Sequence, residues 1–379
     1  MTYTTAGVRH LYVHLPFCSS RCGYCDFVTV VGRREDHARY VAALLAELEL
    51  ERAVLAPRLE SVYLGGGTPT FTDPGALDGL LAGLPDAEEL TVEANPETVT
   101  PGVAGALRRA GVDRVSLGAQ TFQPRLLRTL ERVALPDDVR RAFYTLRDAG
   151  FDNISLDLVY GIPGQEPADL ARDLAEALAL GPEHVSAYEL EAKPGTRFTH
   201  AHGAELAVEA EAMEGYFETV VDTLTASGYR WYETANFCRR PERAGGRDLR
   251  ARHNLGYWLG HDYAGLGVGA VGTVAGRRAR NTPSLRRYLE ALDRGERPPR
   301  QIEALPPAVL GAERLLLGLR LDEPVRLDDV RGAVDDAELE RLVRAGLVSD
   351  RGGSISLTRR GRFLGGGVTA RLLAPTMSG

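Results

Sequence analysis

The chain is almost without lysine. Lys193 stands alone among 45 Lys and Arg residues, so the cationic groups are guanidinium, planar and permanently charged. There is no basic excess: 45 Lys and Arg face 52 Asp and Glu, a formal charge of −7. A mildly acidic chain has no broad attraction for phosphate backbones, which sets nucleic acid aside as a partner. Long apolar runs are also missing. No stretch approaches the roughly 20 residues that span a bilayer, so the expectation is a protein that is not membrane-integral. Residues 1–10 lack the apolar core of a secretory signal, and a cytoplasmic location is expected. Cysteine is scarce at four in 379 residues, too few for a disulfide scaffold. Yet Cys18, Cys22 and Cys25 lie within eight residues, and in a reducing compartment clustered thiols point to metal or catalysis.

What is present is alternation. Short runs rich in Val, Ile, Leu or Tyr over 11–15, 61–65, 90–94, 114–118, 153–160 and 184–190 read as strands. Helical patterns lie between them over 35–54, 73–84, 101–110 and 136–149. The last two open on Pro101 and Pro136, where the missing N–H costs little, and Gly111 and Gly150 stop them. Strands joined by helix-length connections are parallel with right-handed crossovers. The expected fold is therefore α/β, a partial barrel of six strand–helix units over 1–235, with chemistry at the C-terminal strand ends. A looser connecting segment is expected over 236–284, with an exposed loop at 239–252 and a glycine-dense stretch at 265–272. The remainder, 285–379, shows helical patterns at 307–319 and 335–345, then a hairpin around Gly352-Gly353 and a last helix over 361–373. That order resembles a small winged-helix-like α+β module, read here as a cap on the barrel.

The thiols follow the first strand as Cys18-Ser-Ser-Arg-Cys22-Gly-Tyr-Cys25. Thiolates suit iron–sulfur clusters or zinc. A [4Fe–4S] cluster usually takes four cysteines, so three leave one iron open to a small chelating ligand. The competing readings are a zinc site completed by His14 and a set of structural thiols without metal.

The segment from Tyr12 through Cys18 to Phe27 resembles the radical S-adenosylmethionine (SAM) superfamily. Along nearly its whole length the chain resembles the branch holding oxygen-independent coproporphyrinogen III oxidases and their HemW relatives, which are haem chaperones. The resemblance implies a [4Fe–4S] cluster on Cys18, Cys22 and Cys25. It implies SAM contacts at Tyr12, Tyr24, Gly66, Gly67, Thr68, Glu93, Gln120, Arg132 and Asp157. Read without it, each of these has a plainer role as a turn, a cap or a surface group. Asp157 is the most telling, because an acid inside an apolar strand is costly unless paired or functional.

Three departures from the oxidases point to the chaperone group. Phe27 stands where they have a further cysteine, and only eleven residues precede Tyr12. The segment Arg252-His253-Asn254-Leu255-Gly256-Tyr257-Trp258 is similar to one linked in that group to haem binding. The resemblance thus implies haem contact at His253, Tyr257 and Trp258, haem as cargo, and an acceptor such as a membrane respiratory haemoprotein. A homodimer is compatible with it. The alternative is a radical SAM enzyme forming a 5′-deoxyadenosyl radical, acting on coproporphyrinogen III or methylating or cyclopropanating another small molecule. Cys238, isolated, reads as a small core residue.

Overall fold

The computed structural model describes residues 7–193 and 197–374; the ends of the two outer segments expected from sequence lie outside that range. Six strands run parallel in chain order: β1 (His10–Leu15), β2 (Ser61–Gly66), β3 (Leu90–Ala94), β4 (Arg114–Gln120), β5 (Ile154–Tyr160) and β6 (His184–Glu189). Each crossover carries helix: α1 (His37–Glu51), α2 (Pro74–Gly83), α3 (Pro101–Arg109), the pair α4 (Pro124–Thr129) and α5 (Pro136–Asp148), and α6 (Pro167–Leu180). Proline opens α2 to α6, and the Asp73 and Thr100 side chains cap α2 and α3. The strands alternate, with apolar residues on the helix-covered face and polar ones such as His14, Tyr63, Glu93, Ser116 and Asp157 on the other. Leu11, Val13, Leu15, Val62, Leu64, Val92, Val115, Leu117, Ile154 and Leu156 are all buried in one core.

A long helix follows, α7 (Arg197–Ala226), broken at His202 by non-helical dihedrals. The hairpin β7 (Tyr229–Trp231) and β8 (Asn236–Arg239) then closes antiparallel on β6. The stretch expected to connect the domains is largely sheet. After α8 (Arg252–Trp258) comes β9 (Tyr263–Leu266), a seventh parallel strand beside β1. It is followed by the antiparallel β10 (Val271–Val274), β11 (Arg277–Asn281) and, beyond α9 (Leu285–Asp293), β12 (Arg300–Ala304). Glycine hid these strands from pattern reading. A Cβ at Gly265 would lie 2.1 Å from the Val271 carbonyl oxygen, so the close approach of β9 and β10 demands the residue that weakens the strand signal.

The C-terminal unit has its own core, including Leu315, Leu342, Ile355 and Leu372. It contains α10 (Pro307–Gly318), α11 (Leu327–Val330) and α12 (Asp336–Arg344) beside a three-stranded antiparallel sheet of β13 (Val325–Arg326), β14 (Val348–Asp350) and β15 (Ser354–Leu357). The last predicted helix is two, α13 (Arg359–Phe363) and α14 (Gly365–Leu372). Phe363 packs on Phe217 and Trp231, and Arg362 donates to the Trp231 carbonyl at 2.8 Å, holding the unit to α7 and β7. No helix among the described residues is long and apolar enough to cross a membrane.

One buried carboxylate fastens the late strands to α1. Glu47 is fully buried and accepts from Gly267 N (2.8 Å), Asn281 Nδ2 (2.7 Å), the Tyr288 hydroxyl (2.7 Å) and Arg300 (2.9 Å). Glu47→Ala takes an acceptor from all four donors, of which Asn281 and Arg300 keep other partners. It should cost on the order of 3–5 kcal/mol, read as a lower urea midpoint of unfolding; a loss below about 1 kcal/mol would show that water satisfies them.

Candidate functional site

Backbone pairing places the thiols. Phe17–Cys18 pairs in parallel with Val30–Val31, closing a loop over the C-terminal ends of β1 and β2. Gly32 N donates to the Cys18 carbonyl at 2.9 Å and Val30 N to Pro16 at 2.8 Å. Inside the loop, Cys25 N donates to the Cys22 carbonyl (3.2 Å), Gly23 N to Leu130 (3.3 Å) and Arg21 to the Cys25 carbonyl (3.1 Å). All three thiols are free.

A chain of side chains joins two of them from below. The Thr68 hydroxyl donates to Cys18 Sγ at 3.5 Å and accepts from the Asn95 amide at 2.9 Å. Asn95 Oδ1 accepts from Arg132 at 2.9 Å, and Arg132 also reaches the Gly118 carbonyl (3.0 Å) and Cys22 Sγ (3.6 Å). Donors aimed at sulfur favour the thiolate, the form that binds metal. Burial pushes the Cys18 thiol up, and the Thr68 hydrogen bond opposes it; burial raises Cys25 likewise.

The glycine run ends β2. Gly66 has φ +107, and a Cβ there would lie 2.3 Å from the His14 ring; at Gly67 it would lie 2.6 Å from the Pro16 carbonyl carbon. The run's N–H groups are spent internally: Gly66 on Glu93 (3.1 Å), Gly67 on Leu15 (2.8 Å) and Thr68 on Phe17 (2.9 Å). A ligand ammonium would meet acceptors here, not competing donors. Glu93 also accepts from the Tyr63 hydroxyl at 2.7 Å, and burial, with the Asp157 charge adding, pushes its carboxyl up to about 7. Asp157 accepts from Ser116 (2.8 and 3.1 Å) and Ser155 (3.3 Å), and burial raises it too. Gln120 sits at φ +63 where the β4–β5 register shifts, a left-handed conformation unusual for a side-chain-bearing residue.

Thus Gly66, Gly67, Thr68, Glu93 and Gln120 lie at or just past the ends of β2, β3 and β4, and Asp157 lies in the middle of β5, with Arg132 tied to the group through Asn95 and Gly118. Tyr24 packs against Phe198, Leu126 and Leu130. Tyr12 is set to one side, its hydroxyl 3.0 Å from His14 Nδ1, in a cavity of about 220 Å³ shared with Asp26, Phe27 and Tyr257. Sequence reading missed Asn95, Tyr63 and Ser116. Asn95 carried a signal, an amide between Glu93 and Pro96 at a strand end, but the residue type alone reads as a turn.

The zinc reading fares poorly. His14 Nε2 lies 2.8 Å from the Val28 carbonyl and Nδ1 is on Tyr12, so neither nitrogen is free for an ion. A single tetrahedral zinc gathers sulfurs to roughly 3.8 Å, from Zn–S of about 2.3 Å. Among the described residues the one group whose ligand atoms lie within 4.8 Å of one another is His10, Glu60 and His261; the thiols are spread wider, as a larger cluster requires. Cys238 is buried, its thiol pushed up to about 12 by burial, and is a core residue.

The residues tied to haem by resemblance sit in different surroundings. His253 is buried, with Nδ1 2.9 Å from Ser61 Oγ and Nε2 2.8 Å from the Tyr257 hydroxyl, so no nitrogen is available to iron without breaking that chain. Nor does Trp258 join the other two. Tyr257 faces the cavity beside Tyr12, whereas Trp258 lines another of about 570 Å³ between α7 and the C-terminal unit. As consecutive residues they lie about 100° apart around α8 and so face different ways.

The radical SAM superfamily profile matches residues 12–177, and the HemN C-terminal domain profile matches 305–364. The heme chaperone HemW of Mycobacterium tuberculosis is 38% identical, over 96% of this chain and 94% of that protein. That of Bacillus subtilis is 32% identical, over 97% and 99%. The chain belongs to the HemW family of radical SAM proteins. Its fold matches the structure of coproporphyrinogen III oxidase (HemN) from Escherichia coli, with a TM-score of 0.79 and 22% identity over 98% of this chain and 91% of that one. Membership implies a [4Fe–4S] cluster and SAM, and the donor set fits: three free thiols in one loop, two with hydrogen-bond donors on sulfur, beside a glycine run and a buried carboxylate.

The raised Glu93 carboxyl has a measurable consequence. The folded chain keeps this proton between about pH 4.5 and 7, where the unfolded chain has lost it. Stability from this group is therefore full below the unfolded value and is lost as pH rises toward 7. Glu93→Gln, permanently neutral, should raise the urea midpoint more at pH 8 than at pH 5.5 while weakening SAM binding by calorimetry. Equal midpoint shifts at both pH values would rule out an elevated carboxyl.

Proposed function

We propose that this chain is a haem chaperone of the cytoplasm that binds a [4Fe–4S] cluster, SAM and haem, and passes haem to an acceptor haemoprotein such as a membrane respiratory one. The observation that carries this reading is end-to-end similarity to heme chaperones at 38% identity, C-terminal unit included. In it, Cys18, Cys22 and Cys25 hold the cluster, which supplies an electron to the sulfonium of SAM when bound. Thr68 and Arg132 direct donors at two of the sulfurs, and Asn95 keeps both in place. Glu93 and the glycine carbonyls accept from the amine of SAM. Gln120, Asp157, Tyr12 and Tyr24 line the remainder of its path.

For haem we favour the cavity of about 570 Å³, within the range that encloses most of a cofactor-sized ligand. Trp258 offers an aromatic face with Arg320 stacked 4.5 Å from its ring centroid. Trp258 Nε1 and Arg362 Nη2 are buried and have no hydrogen-bond partner among the described residues, as donors awaiting a carboxylate would be. His253 and Tyr257 then act as support behind the wall. The enzyme reading, hydrogen abstraction from a porphyrinogen or another small molecule, draws on the HemN-like fold and uses the same strand ends.

Anaerobic haem titration of the reconstituted protein, followed at the Soret band, tests this. Near-stoichiometric binding is expected, weakened about tenfold, or about 1.4 kcal/mol, by Trp258→Ala. His253→Gln should leave the Soret position unchanged. Cys22→Ala should lose the cluster's visible and EPR signals, since two thiolates cannot hold it. Weak haem binding indifferent to Trp258 would turn the assignment to the enzyme.

A further inference from the structure

We propose that His10, Glu60 and His261 form a binding site for a divalent transition ion of the zinc class, at the end of the sheet opposite the thiol loop. The register creates it. His10 opens β1 and pairs with Ser61 on β2 and Tyr263 on β9, which brings the residues just before those two strands to either side of it. His10 Nε2 lies 3.1 Å from His261 Nδ1 and 3.4 Å from Glu60 Oε2, and the three ligand atoms fall within 4.8 Å of one another. A tetrahedral zinc with bonds of about 2.0–2.2 Å holds its nitrogen and oxygen ligands roughly 3.3–3.5 Å apart, so the gathering matches. Three protein ligands leave a fourth position to water.

The chemistry of each ligand agrees. His10 is buried, which disfavours the charged imidazolium and leaves the neutral ring that binds metal. Glu60 gives its other oxygen to Arg9 at 2.7 Å, leaving Oε2 for an ion. His261 is exposed, so its ring can turn onto a metal without disturbing the core. His10 also has the supporting partner that metal-bound imidazoles use: Nδ1 is 2.8 Å from Ser61 Oγ.

That support continues inward. Ser61 Oγ lies 2.9 Å from His253 Nδ1, and His253 Nε2 lies 2.8 Å from the Tyr257 hydroxyl. With an ion on His10 Nε2, its Nδ1 must carry the proton and donate to Ser61. Ser61 then donates to His253 Nδ1, and His253 Nε2–H donates to Tyr257. The ion thereby sets one direction for every hydrogen bond between the sheet end and the cavity that Tyr257 shares with Tyr12 and Asp26.

The test uses full-length, cluster-loaded protein dialysed anaerobically against zinc chloride, with zinc and iron counted per chain. One zinc beyond the iron complement is expected. His261→Ala and Glu60→Gln should each weaken it more than a hundredfold, and Ser61→Ala roughly tenfold. Arg9→Ala, which frees Glu60, should keep or tighten it. Iron content and the visible spectrum should stay constant throughout. No extra zinc, equal zinc in wild type and His261→Ala, or zinc that enters only as iron leaves would each overturn the proposal.

Discussion

The hydrogen-bonded chain Cys18–Thr68–Asn95–Arg132–Cys22 is the constraint on which the site depends. Its members come from the loop after β1, the end of β2, the end of β3 and the turn after α4. A flexible loop bearing three thiols would ordinarily spend conformational entropy to bind anything. Here the neighbouring strands hold it, and the same bonds aim donors at sulfur. Positioning and electronic tuning are therefore one set of contacts. Removing Asn95 would disconnect both ends while touching neither thiol.

The parallel sheet explains why such a chain is available. Each crossover returns the chain to the same edge, so successive strands end side by side, and residues far apart in sequence meet there. Because the polar residues line the inner face of this sheet, away from its helices, carboxylates set among them are desolvated. That is why Glu93 and Asp157 hold their protons more tightly than ordinary carboxyls, and why serine and tyrosine hydroxyls gather on them. The opposite end obeys the same geometry. There the register sets His10 between Glu60 and His261, and Ser61 links that group to His253.

The predicted strands and crossover helices appear within a few residues of where the periodicity places them, since a buried parallel strand and an amphipathic helix each leave a direct trace in residue order. β9 and β10 left none, because close backbone approach selected glycine over β-branched residues. The thiol loop and glycine run were legible as motifs. Asn95 and Tyr63 were not, because a single amide or hydroxyl acquires meaning only from what it faces. His253 shows the converse: its motif was plain, but its burial and its two hydrogen bonds could not be read from residue order.

By itself the sequence determined the fold class, the cluster of three thiols and the family, all of which rest on local pattern: spacing of apolar residues, spacing of cysteines and identity along the chain. Tertiary structure alone decided which side chains meet. It separated Tyr257 from Trp258, tied off His14 and His253, joined Cys18 to Cys22 through Asn95, and brought His10 to His261 across 251 positions. The physical reason is that hydrogen bonds and burial act over a few ångströms of space, and strand register, not position in the chain, sets those distances.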